Sequence, residues 1–144
     1  MQQYYIVSDF HIAGRKELND FKATKVLCSF MDERNDGDTV VFNGDTFDFA
    51  QTPDEPDWNA IQCGLPLQDP TIGRSQKDSL KALNLITTFH AKIFKSFARA
   101  SCNGARLVFI VGNHDVDLLW RGVQEMLVTH LVDLGAIAEN IKFG

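Results

Sequence analysis

Three apolar runs, each rich in β-formers, break into clusters of aspartate, histidine and asparagine. The first is Tyr4-Tyr5-Ile6-Val7-Ser8, which leads into Asp9-Phe10-His11. The second is Val40-Val41-Phe42, followed by Asn43-Gly44-Asp45-Thr46-Phe47-Asp48. The third is Leu107-Val108-Phe109-Ile110-Val111, which leads into Gly112-Asn113-His114-Asp115. Short apolar runs bounded by turn residues read as buried strands. Helical patterns separate them, so the chain reads as β-α-β units with mostly parallel strands and right-handed crossovers. In an open parallel sheet, ligands collect at the carboxyl ends of the strands. The expectation is an α/β domain in which Asp9, His11, Asp45, Asp48, Asn113, His114 and Asp115 converge at one edge of one sheet.

Between the runs the periodicity changes. Residues 17–34 carry apolar side chains near a 3.6-residue period (Leu18, Phe21, Leu27, Cys28, Met31) and read as a helix. Asn35-Asp36-Gly37-Asp38 is a turn signal before the second strand, expected over residues 39–42. Residues 75–101 read as one long helix with Ser75 as its N-cap and Asn103-Gly104 as its stop. The third strand is expected over residues 106–111, and a further helix over 117–134 ends at Gly135. Residues 136–143 look like the start of a fourth strand. Residues 50–74 differ from the rest: they hold all four prolines, Pro53, Pro56, Pro66 and Pro70. A loop this long is usually functional. Trp58, Ile61, Leu65 and Leu67 make it either a lid or substrate wall over the cluster, or a surface excursion pinned by Trp58.

A chain of 144 residues suits a single domain with its own core. Its net charge of -5 argues against nucleic acid as a partner, because phosphate backbones are gripped by Lys and Arg. The three cysteines, Cys28, Cys63 and Cys102, are odd in number and form no C-x-x-C pair, which points to a reducing compartment. There is no signal-peptide pattern and no apolar run long enough to span a bilayer, so a cytoplasmic protein is expected. The oligomeric state is open.

Several aspartates at one sheet edge repel one another unless cations or protons intervene. Carboxylate and amide oxygens suit Mn and Mg, and imidazole suits Zn and Fe, so the mixture points to Mn, Fe or Zn. Two such ions about 3.5–4 Å apart can clamp the attacking and leaving oxygens of a phosphoryl transfer.

Asp9-Phe10-His11, Gly44-Asp45-Thr46-Phe47-Asp48 and Gly112-Asn113-His114-Asp115 resemble the first three motifs of the calcineurin-like metallophosphoesterases, D-x-H, G-D-x-x-D and G-N-H-[DE]. The resemblance covers about residues 4–116. It implies the N-terminal half of an α-β-β-α sandwich and hydrolysis of a small phosphorylated substrate, at an ester or pyrophosphate bond, by a metal-bound hydroxide. It further implies two divalent ions: Asp9 and His11 on the first, Asp45 bridging both, and Asn113 on the second. His114 would face the phosphate and protonate the leaving oxygen, with Asp48 orienting it, and Asp115 would support the ligands from behind. The motifs are also similar to those of bacterial relatives of UDP-diacylglucosamine hydrolases. Those enzymes usually carry arginine at the place of His114, which favours a generic phosphoesterase.

The family continues with a lone histidine and a G-H-x-H motif, and no G-H-x-H occurs here. The expectation is therefore a domain cut short at its C-terminus. The alternative is a catalytically inactive binding module or an incomplete fragment. His90 and His130 lie on helical patterns and read as packing residues. Cys63 is a poor nucleophile beside carboxylates, and Ser8 and Thr46 read as turn residues.

Overall fold

The computed structural model describes residues 2–14, 21–52 and 74–144. The loop of residues 53–73, with Trp58, Ile61, Cys63, Leu65 and Leu67, lies outside the described residues, and so do residues 15–20. The fold is α/β. Four strands, β1 (Gln3–Val7), β2 (Asp38–Asn43), β3 (Arg106–Ile110) and β4 (Ile141–Phe143), form one sheet in the order β1-β2-β3-β4. Every neighbouring pair is parallel. Among the described residues the helices are α1 (Thr24–Asp32), α2 (Gln76–Phe89), α3 (Ala91–Cys102) and α4 (Arg121–Asp133). None is long and apolar enough to cross a membrane.

Strand order that follows chain order has a consequence. Right-handed crossovers repeated in one direction put all the helices on one face of the sheet. That face carries Val40, Phe42, Leu107 and Phe109, each fully buried. Phe42 and Phe109 stack at 4.7 Å between neighbouring strands, and Phe97 of α3 packs on both. Phe47 joins this aromatic core through Phe94 and Phe109. The opposite face is open in part: Tyr4 and Ile6 are 63% and 71% exposed, although they point the same way as half-buried Val41 and Val108.

Three helical expectations need correction. The first helix begins at Thr24 rather than near residue 17. Phe21 matched the helical period, but it packs from a loop, edge-on against Phe10 with ring centres 5.6 Å apart. The long helix over residues 75–101 is two helices with a break at His90 (φ -112, ψ 33). Thr87 and Thr88 both turn their hydroxyls back to the Asn84 carbonyl, which bends a helix. The Ser75 cap is present: its hydroxyl accepts from the Asp78 amide at 3.2 Å. After the third strand a 3₁₀ turn, Val116–Leu119, precedes α4, which then ends before Gly135.

Candidate metal centre

The first two candidate loops continue the sheet past its strands. Beyond β1 and β2 the chains stay zipped by backbone bonds: Asp9 N–H to Gly44 C=O, His11 N–H to Asp45 C=O, Ile12 N–H to Thr46 C=O and Asp48 N–H to Ile12 C=O. Gly44 N–H then donates to Ile110 C=O and ties the pair to β3. This ladder holds Asp9, His11 and Asp45 in the left-handed region, at φ 58, 49 and 51. Such backbone costs about 1–3 kcal/mol per residue and gathers at functional sites. The conformation aims all three side chains at one place. Their ligand atoms lie within 4.8 Å of one another.

Gly112 has to be a glycine for steric reasons. A Cβ there would run into the Asp45 carboxylate and come within 2.6 Å of the Asp45 amide nitrogen. With no side chain in the way, Asp45 Oδ1 accepts from the His114 amide at 2.9 Å. The third loop is thereby locked to the second.

Asp115 is the buried centre of that lock. Its Oδ1 accepts from the amides of Gly112 and Asp45, and its Oδ2 from those of Thr46 and Phe47. Burial pushes the Asp115 carboxyl up from its ordinary pKa, against the downward pull of the same four amides.

Asp48 is fully buried, and its Oδ2 lies 3.2 Å from His114 Nδ1. It also lies 3.4 Å from His11 Nδ1. The two imidazoles meet edge to face, 4.6 Å apart. His11, Asp48 and His114 therefore form a second group whose ligand atoms lie within 4.8 Å of one another. Asn113 lies between Gly112 and His114 on the third loop. It is exposed, and among the described residues its amide makes no hydrogen bond with the cluster.

Donor chemistry and geometry both fit a divalent ion. Carboxylate oxygens and imidazole nitrogens, the donors that Mn, Fe and Zn take, converge to within 4.8 Å in two groups that share His11.

Two residues outside the motifs brace the first loop: Thr52, which sequence reasoning did not single out, and His90, which it read as a packing residue. Thr52 Oγ1 accepts from Gly14 N–H at 2.8 Å and donates to Asp48 C=O at 2.7 Å, joining the first and second loops. His90 Nε2–H donates to Ala13 C=O at 2.9 Å, so the break between α2 and α3 sets the chain just past His11. Neither residue sits in a motif, and only the 38- and 77-residue separations of these contacts, closed by the fold, join them to it.

Burial lowers the His90 pKa, and the bond to Ala13 opposes the shift. The folded chain therefore holds this proton less tightly than the unfolded one. Stability from this group is complete above the ordinary histidine value and is lost as pH falls through the lowered one. Burial lowers His130 as well, with Asp133 opposing, so its contribution has the same sign. The urea midpoint is expected to fall between about pH 7.5 and about pH 5.5, and to fall less in His90→Gln. An equal fall in both proteins would exclude His90 as a source.

Compared with known proteins, the chain matches no family model, no curated protein and no solved structure.

Proposed function

We propose that the chain hydrolyses phosphate esters or pyrophosphate bonds with divalent metal ions, as a phosphoesterase of the calcineurin-like kind. The observation that carries this reading is the meeting of the first two strand-end loops, in which ligand atoms of Asp9, His11 and Asp45 come within 4.8 Å of one another. In this reading Asp9, His11 and Asp45 hold the first ion, and Asp45 with Asn113 the second, with Mn, Fe or Zn suited to the donors. A divalent ion supplies water with a pKa near about 7 and takes up charge on the phosphoryl oxygens.

The chain's own residues do the rest. His114 shares Nδ1 with Asp48, which leaves Nε2 for the substrate. As a water oxygen bonds to phosphorus, losing a proton to solvent, and the P–O ester bond breaks, His114 in its doubly protonated form gives its Nε2 proton to the leaving oxygen. Asp48 keeps the Nδ1–H of the same ring, so the proton given up is the one on Nε2 and the ring is left as the Nδ1–H tautomer. The substrate is a small phosphorylated compound, and the setting is cytoplasmic.

The exposure of Asn113, which makes no hydrogen bond with the cluster among the described residues, favours a second reading, a catalytically inactive module that binds metal through the first loop pair. The two readings separate in one experiment. The chain is stripped with EDTA, reloaded with Mn, Fe or Zn, and assayed on p-nitrophenyl and bis-p-nitrophenyl phosphate. Metal-dependent release of p-nitrophenol, lost in His11→Ala, is expected. Metal uptake without release on either substrate would leave the binding module standing.

A further inference from the structure

One oxygen of Asp48 serves two rings. Oδ2 stands 3.2 Å from His114 Nδ1 and 3.4 Å from His11 Nδ1. The carboxylate itself is held still: Gln51 donates its backbone N–H to Oδ1 at 2.9 Å and its side-chain Nε2–H to Oδ2 at 3.0 Å. Three donors thus crowd an oxygen that has two lone pairs. The contact with His11 is the longest of the three and the one that falls short of hydrogen-bond geometry, leaving His11 Nδ1 buried without a partner.

We propose that Asp48 is a positioning residue for His11 as well as for His114. It faces Nδ1 of both rings and leaves Nε2 of both free, one for an ion and the other for the phosphoryl group. The inference rests on the metal-dependent reading above. A histidine that ligates metal nearly always passes its other N–H to a carboxylate, a carbonyl or a water, and losing that partner costs about 10–100-fold in metal affinity. At 3.4 Å Asp48 Oδ2 is the carboxylate oxygen in ion-pair range of His11 Nδ1, placed to take that N–H once the ring ligates an ion. A carboxylate that served His114 alone would leave metal affinity untouched.

The test is a double-variant cycle read by Mn²⁺ affinity, from the EPR signal of free Mn²⁺, and it needs no activity. Wild type, His114→Ala, Asp48→Asn and the double variant are compared at matched far-UV circular dichroism. Asp48→Asn is expected to raise the Mn²⁺ dissociation constant about 10–100-fold in both backgrounds. Equal constants for His114→Ala and the double variant would overturn the inference and leave the metal reading intact. No uptake by wild type would overturn both. A second measurement needs no variant: long-range ¹H–¹⁵N spectra of the wild-type histidines with Zn²⁺ bound. His11 protonated at Nδ1 and metallated at Nε2 supports the inference, and metallation at Nδ1 refutes it.

Discussion

His114→Ala is expected to keep its metal and lose its rate. In the proposed mechanism the imidazole touches the leaving oxygen and no ion, so a fall of about 10²–10⁴-fold is expected, the usual contribution of a general acid. The loss should depend on the leaving group. An alkyl phosphate needs its oxygen protonated as the P–O bond breaks, whereas p-nitrophenolate leaves as an anion, so the fall should be steeper for the alkyl ester. His11→Ala should behave differently, since His11 lies in both candidate ligand groups. It should lower metal content and take activity down with it. Metal stoichiometry and rates on one poor and one good leaving group distinguish the two variants. If His114→Ala sheds metal as readily as His11→Ala, then His114 is a ligand, in the group it forms with His11 and Asp48.

Asp115→Ala should cost more stability than any ligand substitution. One buried carboxylate accepts four backbone amides drawn from two loops. Removing it orphans all four donors, and each buried unpaired donor costs about 1–3 kcal/mol. Water entering the space left by alanine recovers part of this, so a net loss of at least about 3 kcal/mol is expected. That is a large share of the roughly 5–15 kcal/mol that holds a domain folded. Asp115→Asn is the informative companion. It keeps the shape and removes a buried charge, which by itself favours the variant. However, its NH₂ group must face a pair of amide N–H groups, either Gly112 with Asp45 or Thr46 with Phe47. Two donors then oppose a donor. Urea unfolding should therefore place Asn near Ala and well below wild type. A loss under about 1 kcal/mol for Asn would mean that the four amides do not depend on Asp115.

The strands and the sheet edge at which they end were legible because their signals are local. An apolar run that breaks at Gly44 or Gly112 marks a strand end from a few neighbouring residues. Parallel pairing followed from the helical stretches between the runs, and parallel pairing brings strand ends to one edge. Asp9, His11, Asp45, Asp48, His114 and Asp115, which gather there, could be named from the chain alone.

What the tertiary structure decided lies between residues far apart in sequence. Phe21 keeps a helical period, yet its contact with Phe10 holds it in a loop. Ser75 to Ser101 reads as one helix until the bond from His90 to Ala13, across 77 residues, is seen beside the back-bonded threonines. The left-handed backbone of Asp9, His11 and Asp45 belongs to no residue's own preference strongly enough to be read in advance, and the ladder of backbone bonds between the two loops imposes it. That one Asp48 oxygen stands between two histidines depends on where three loops stop relative to one another, to within an ångström. Hydrophobic pattern determines which segments become strands and which way they run, because burial acts on whole faces. Distances between ligand atoms depend on packing and on hydrogen bonds across loops, and only the folded chain fixes those.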